Sequence, residues 1–164
     1  MNILITGKPG IGKTTLIQNI VQSCDNVAGF YTKEIRKNGQ RVGFAIKTMD
    51  GKTGVLAHID IDSPVSVSKY KVNIPAIENI CVPSINFSAG VIVIDEIGKM
   101  ELYSESFKDI VLKALDTKNV VATIMERSHP FCNTIKKRKD TILYGVTKEN
   151  RDELVDTIKR NITC

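Results

Sequence analysis

Apolar residues along this chain fall into two kinds of run, and their order predicts an architecture. Ile3-Leu4-Ile5, Val91-Ile92-Val93-Ile94, Val120-Val121-Ala122-Thr123-Ile124 and Thr141-Ile142-Leu143-Tyr144 are short and continuous. Strands buried on both faces of a parallel sheet have that pattern. Between these runs the apolar positions recur at helical spacing. Leu16, Ile17, Ile20, Val21 and Cys24 make one stripe. Phe107, Ile110, Val111, Ala114 and Leu115 make a second, and Leu154, Val155, Ile158 and Ile162 a third. Ser104 is expected to cap the second helix and Thr147 the third. A further helix is expected from Pro130 to Lys137. Strands alternating with helices predict an α/β fold, a mostly parallel sheet with helices on both faces.

One stretch departs from that pattern. Gly29-Phe30-Tyr31-Thr32 and Val42-Gly43-Phe44-Ala45-Ile46 flank Asn38-Gly39, a strong hairpin signal. Asp50-Gly51 marks another turn, leading to Val55-Leu56-Ala57. An antiparallel hairpin extension of the parallel sheet is expected here. Residues 60 to 90 are punctuated by Pro64, Pro75 and Pro83 and are rich in Ser and Asn. They carry little pattern beyond a short helix around Ala76 to Ile80.

Composition narrows the class. The chain has 164 residues, 42% hydrophobic and 25% charged, which fits one folded domain over 1–164 and excludes a disordered chain. Net charge is +5, suited to a polyanionic ligand. With no Trp and only 5% aromatic residues, the stacking platforms of a nucleic-acid binder are not expected. Cys24, Cys81, Cys132 and Cys164 form no C-x-x-C pair, so neither zinc nor a disulfide framework is expected, and reduced thiols are. The start, Met-Asn-Ile-Leu-Ile-Thr-Gly, lacks the basic region of a signal peptide, and no run approaches the roughly 18 apolar residues of a membrane span. A cytoplasmic protein with no membrane association is expected. Nothing in the sequence names a protein partner.

The chemistry is concentrated after the first strand. Gly7-Lys8-Pro9-Gly10-Ile11-Gly12-Lys13-Thr14 fits G-x-x-x-x-G-K-[ST] at every fixed position, the Walker A pattern of a P-loop. Phosphate oxygens need several backbone N–H groups converging on them, and only a glycine-rich turn wraps that closely. The helix that follows aims its positive end at the phosphates. Lys13 is expected to reach the β- and γ-phosphates, Thr14 to ligate Mg²⁺, and Thr15 to close the binding segment. A strand before and a helix after supply the context the motif requires.

The second centre is Val91-Ile92-Val93-Ile94-Asp95-Glu96-Ile97-Gly98. A carboxylate at the end of a strand neighbouring the loop is how such sites hold magnesium, so Asp95 fits the Walker B role. Glu96 points elsewhere and is the candidate general base. Phosphoryl transfer also gains from an arginine. Arg127 and Arg138, after the Val120 strand, are the candidates for it. His129 is expected at a helix start, and Lys136 to Lys139 on a solvated helix end. Lys99 and Glu101 are further candidates near the nucleotide, and Arg151 opposes a helix dipole. Phe30 and Tyr31 are candidates for stacking on the base. The guanine-reading pattern Asn-Lys-x-Asp is absent, since Thr147-Lys148-Glu149-Asn150 does not match it.

Taken together these motifs resemble the small nucleoside-triphosphatase family of hyperthermophiles and animals, whose animal member is called cancer-related nucleoside-triphosphatase. The resemblance lies in the loop continuing as Gly-Lys-Thr-Thr-Leu-Ile and in the hairpin residues Glu34, Gly39, Arg41, Gly43 and Phe44. It lies most specifically in Val93 to Leu102, Val-Ile-Asp-Glu-Ile-Gly-Lys-Met-Glu-Leu, and also in Val146-Thr147 with Glu149-Asn150-Arg151. It implies a RecA-like P-loop fold and slow Mg²⁺-dependent hydrolysis of ATP, GTP and other triphosphates to diphosphate and phosphate. Two alternatives remain from the residues alone: a nucleoside- or nucleotide-kinase-like phosphotransferase, and a binding switch governed by its triphosphate.

Overall fold

The computed structural model describes residues 1–117 and 119–164. Among them, nine strands form one sheet. They are β1 (Asn2–Thr6), β2 (Val27–Lys37), β3 (Gln40–Thr48), β4 (Thr53–His58), β5 (Ser66–Val67), β6 (Tyr70–Val72), β7 (Val91–Ile97), β8 (Val120–Ile124) and β9 (Thr141–Gly145). The helices are α1 (Lys13–Val21), α2 (Ile74–Ala76), α3 (Val82–Ser84), α4 (Glu105–Asp116), α5 (Pro130–Lys136) and α6 (Arg151–Lys159). The strand order is β5-β6-β4-β3-β2-β7-β8-β1-β9. From β2 to β9 every pairing is parallel, and from β2 to β5 every pairing is antiparallel.

Side-chain alternation explains why helices cover both faces of the parallel part. Ile3, Ile5, Val91, Val93 and Val121 point to one face and are buried under Leu16, Ile17 and Ile20 of α1 and Ile158 of α6. Leu4, Ile92, Ile94, Val120 and Ala122 point to the other, under Phe107, Val111 and Leu115 of α4 and Cys132 and Ile135 of α5. Each fully buried aliphatic chain contributes roughly 1.5–3 kcal/mol. Ser104 caps α4 as expected, its hydroxyl accepting from the Phe107 amide at 3.2 Å.

β2 joins the two halves of the sheet. Val27 to Phe30 register with Val91 to Ile94 of β7, while Phe30 to Lys37 register with β3. Gly29, at φ 109°, lies so close to β7 that a Cβ there would stand 1.9 Å from the Val93 carbonyl oxygen. Only glycine fits. Asn38 and Gly39, at φ 52° and 77°, make the tight turn of the expected hairpin.

The antiparallel part is larger than one hairpin, because β4, β6 and the short β5 continue it. β5 and β6 escape the sequence pattern because they are two and three residues long. The helix expected around Ala76 to Ile80 is the middle of a longer helical run. Asn73 caps it at the Ala76 amide. A π-turn over Ile77–Cys81 follows, closed by the Val82 amide on the Ile77 carbonyl. Pro83, which has no N–H to give, comes next. Thr147 does not cap α6. Asn150 stands there instead, and the two residues bond reciprocally: the Thr147 amide donates to Asn150 Oδ1 at 2.8 Å, the Asn150 amide to Thr147 Oγ1 at 3.2 Å. α5 ends at Lys136, one residue short of the expected Lys137.

The cysteines also differ from expectation. Cys24 and Cys164 are joined by a disulfide, with Cα atoms 5.0 Å apart. A separation of 140 residues hides that pair from any spacing argument. It forms because the chain after α6 returns to the end of α1, on which α6 packs. Cys81 and Cys132 are free thiols, both buried.

Candidate active site

The glycine-rich segment spans the carboxyl end of β1 and the start of α1. Gly12, at φ 103°, begins the helix without a side-chain cap, so the first amides of α1 are open to an anion. Lys13 folds back over the loop, its Nζ donating to the Gly7 carbonyl at 2.6 Å and the Lys8 carbonyl at 3.2 Å. Arg151, at the start of α6, reaches the loop from outside, donating to the Ile11 carbonyl at 3.4 Å.

β7 delivers Asp95 and Glu96 to the same place. The β7–β8 register breaks between Ile94 and Ile97, which frees this pair from the ladder. Asp95 is only 3% exposed and ties three elements together. Its Oδ2 accepts from Thr14 Oγ1 at 2.6 Å and its Oδ1 from Thr123 Oγ1 at 2.6 Å, while the Thr32 amide of β2 also donates to it. Burial pushes the Asp95 carboxyl above its ordinary range, opposed by the Thr123, Thr14 and Thr32 hydrogen bonds and by the charge of Lys13. Two hard oxygen donors, Thr14 and Asp95, meeting at a phosphate loop form the donor set that a magnesium ion takes. Among the described residues no group of three His, Cys, Asp or Glu side chains is arranged to hold a metal. A cation here would therefore draw its remaining ligands from phosphate and water.

Glu96 lies beside Asp95, and Glu101 is buried behind it at 4% exposure. Gly98 separates the two glutamates. A Cβ there would stand 2.5 Å from Glu96 Oε1 and 2.9 Å from Glu101 Oε2. Burial raises the Glu96 carboxyl, Lys13 works against it, and Asp95 adds to it. Glu101 is raised further, by burial first and then by the charge of Glu96.

Two cavities flank the loop. One, of about 670 Å³, is lined by Lys13, Thr14, Asp95 and Glu96 below and by Arg36 and Arg41 of the β2–β3 hairpin above. The other, of about 490 Å³, lies against Gly7, Lys8 and Ile11 and is closed by the segment from Gly145 to Glu149. In the first, Glu34 gathers two arginines. Arg36 donates to Glu34 Oε2 from Nε at 3.0 Å and from Nη2 at 2.8 Å, and Arg41 Nη1 donates to Glu34 Oε1 at 3.2 Å.

The structure thus brings the Gly7–Thr15 and Val91–Gly98 segments to one place. It does not bring the two nominated arginines there. Arg138 is held by Asp116 at 2.9 Å and Asp140 at 2.7 Å, a pairing that raises its pKa and occupies its guanidinium elsewhere. Arg127 is exposed and lines neither cavity, although its neighbour Glu126 lines the second. Phe30 is fully buried against Phe107, 6.2 Å between ring centroids, so it cannot stack on a base. Tyr31 faces a different hollow, beside Gln18, Asn19 and Met49. Lys99 is exposed. His129 does start α5, its Nδ1 accepting from the Phe131 amide at 3.2 Å. Thr123, Glu34, Arg36 and Arg41 were missed. Glu34 and Arg41 carried a signal only as hairpin residues of the resemblance, and Thr123 only as a hydroxyl inside an otherwise apolar strand; Arg36 carried none.

Comparison with known proteins shows the family and the fold. A family profile described as NTPase matches residues 2–159. The nucleoside-triphosphatase THEP1 of Thermotoga sp. (strain RQ2) is 47% identical over 162 residues, covering 96% of this chain and 93% of that protein. Among solved structures, THEP1 from the hyperthermophile Aquifex aeolicus superposes with a TM-score of 0.90 at 37% identity, covering all of both chains. The solution structure of a human cancer-related nucleoside triphosphatase gives 0.81 at 35% identity, covering 98% of this chain and 96% of the other. The fold is that of an α/β P-loop protein.

Proposed function

From the premise that the chain belongs to the NTPase family and is an NTP-hydrolysing enzyme, we propose that it cleaves ATP, GTP and other triphosphates to diphosphate and phosphate, with Mg²⁺ and at low turnover. The observation that carries this reading is the 2.6 Å contact of Thr14 Oγ1 with Asp95 Oδ2 under the loop, with Glu96 alongside. Magnesium held by Thr14 and Asp95 would supply charge neutralisation at the β- and γ-phosphates. Lys13 exchanges the Gly7 and Lys8 carbonyls for phosphate oxygens, and the loop amides hold the β-phosphate. Glu96 takes a proton from a water as that water's oxygen bonds to the γ-phosphorus, and the bond from phosphorus to the β–γ bridging oxygen breaks. The diphosphate leaves with the bonding pair.

A carboxylate raised by burial is a better base than an exposed one, provided it is ionised. Turnover is therefore expected to fall on acidification at a pH above the ordinary glutamate range, as Glu96 takes up its proton. With the γ-phosphate at Asp95, the base is directed toward the second cavity. Its lining, the loop with Glu126 and the segment from Gly145 to Glu149, has no aromatic ring, which supports a broad base range. Among the described residues no helix is long and apolar enough to cross a membrane. A cytoplasmic location is part of the proposal, on the ground of its substrate class. The Cys24–Cys164 disulfide is the one feature at odds with it.

Phosphate release from ATP, GTP, CTP and UTP, with magnesium and with chelator, tests the reading. Glu96→Gln is expected to lose roughly 10²–10⁴ in turnover while still binding nucleotide. Wild-type turnover in that variant removes Glu96 as base. Release that needs an added nucleoside or nucleotide acceptor means phosphotransfer instead.

A further inference from the structure

We propose that Arg36 is the arginine that meets the γ-phosphate in the transition state, delivered by the β2–β3 hairpin and held in reserve by Glu34. The proposal rests on the hydrolytic reading above, which has a loop, a cation site and a base but no arginine.

Placement comes first. β2 pairs with β7 only as far as Phe30↔Ile94, then continues for seven more residues. At roughly 3.3 Å per residue that overhang is about 23 Å, beyond the strand end that carries Asp95. The Thr32 amide bonds Asp95, so the base of the overhang is fixed at the cation side of the site. Glu34 and Arg36 follow at the two-residue spacing of a strand. They meet Arg41 and Phe44 from β3 on the same side, above Lys13, Thr14 and Glu96.

The two hairpin arginines differ in freedom. Arg41 is an anchor: its Nε donates to Tyr70 Oη at 2.8 Å, and its guanidinium carbon lies 5.2 Å and 5.5 Å from the Phe44 and Tyr70 ring centroids. Arg36 has a side chain 56% exposed, and its partners are Glu34 and the Gly39 carbonyl at 3.0 Å. An exposed ion pair is readily exchanged. The guanidinium fork that holds a carboxylate fits phosphate oxygens equally well. Arg36 therefore has a ready route from Glu34 and the Gly39 carbonyl to the equatorial oxygens of the γ-phosphate, by exchange of hydrogen bonds and with no covalent bond made or broken. Glu34, left behind, keeps its contact with Arg41.

Arg36→Gln, Arg36→Lys and Glu34→Gln test this on the full chain. Three quantities are read: phosphate release, affinity for the diphosphate product, and the tightening of diphosphate binding by aluminium fluoride, which mimics the transferring phosphoryl group. Arg36→Gln is expected to lower turnover at least about 100-fold, from the size of arginine effects in phosphoryl transfer. Diphosphate affinity should change by less than about threefold, since the arginine acts on the transferring group alone. The aluminium fluoride tightening should vanish. Arg36→Lys keeps the charge and should retain part of both. Glu34→Gln frees the guanidinium and should raise turnover; a fall overturns the reserve role of Glu34. Unchanged turnover in Arg36→Gln, retained tightening, or an equal loss of diphosphate affinity and rate each overturns the role of Arg36. The tightening needs no hydrolysis, so it reads the Arg36 contact by itself. A wild-type chain that releases no phosphate defeats the hydrolytic reading instead.

Discussion

Glu101 and Glu34 are the same residue type treated in opposite ways by the two halves of the sheet. Glu101 follows β7 in the parallel half, is fully enclosed, and has its carboxyl pushed far up by burial and by Glu96. Glu34 stands on the antiparallel hairpin, and the Arg36 hydrogen bonds hold its carboxyl below the ordinary range. Charge in the parallel half is fixed: Asp95 has partners on the loop, on β8 and on β2 and cannot turn. Charge on the hairpin is paired at the surface, where exchange of partners costs little. A phosphoryl-transfer site needs both kinds, a rigid floor that holds phosphate and cation and a movable group that responds to the transferring one. In the proposed mechanism the two halves divide that work.

The comparison is sharpest at Lys13. Lys13→Ala removes the charge proposed to pass from the loop carbonyls to phosphate, and nucleotide affinity is expected to fall by about 10² or more, from the worth of two charge-assisted bonds. A fluorescent-nucleotide titration measures it, and a change under threefold would mean the loop does not hold the triphosphate. Thr123→Val comes next. It keeps the shape of the side chain and removes the hydroxyl that donates to Asp95 Oδ1. The magnesium concentration for half-maximal turnover should rise about tenfold, as when other outer-shell partners are lost. An unchanged requirement would separate Asp95 from the cation.

Glu101→Gln acts on stability. The folded carboxyl lies above its unfolded value near 4.5, so the folded state binds more protons than the unfolded one across that interval. Wild-type stability from Glu101 is present below the unfolded value and is lost as pH rises through the folded one. In Glu101→Gln that decline should disappear, visible as a flatter dependence of the urea midpoint on pH. An identical slope in both proteins would show that Glu101 does not titrate in this way. The smallest effect is expected at Arg138→Gln. Turnover should stay within twofold, while loss of the Asp116 and Asp140 pairings costs about 1 kcal/mol. A large loss of turnover would restore Arg138 as the catalytic arginine.

The floor of the site was legible in the sequence and the movable part was not. Gly7 to Thr14 and Val91 to Gly98 can be read because strand, turn and helix lie next to one another along the chain. The carboxylate that meets Thr14 sits at the end of the most apolar run. Thr123 and Asp95 meet through strand pairing, which no spacing in the sequence reports. Arg36 and Arg41 face each other across a ladder register, and Tyr70 arrives from a strand of three residues. Arg127 and Arg138 were chosen for following the right strand, but position along the chain does not say which way a side chain reaches. Asp116 and Asp140 had already claimed one of them. The segment from Ile74 to Ser84 was obscured by its two prolines, of which Pro75 sits in the first turn of the helical run and Pro83 just after its π-turn, without ending it.

The overhang of β2 makes the hairpin a part that cannot be re-cut freely. Gly29 clamps the strand to β7 at one end, and the Asn38-Gly39 turn closes it at the other. With the strand held at Gly29, deleting one residue between Phe30 and Glu34 would turn every side chain from the deletion to the turn to the opposite side. Glu34 and Arg36 would then face away from the loop. A hairpin transplanted from a relative must therefore match this one in parity as well as in residues.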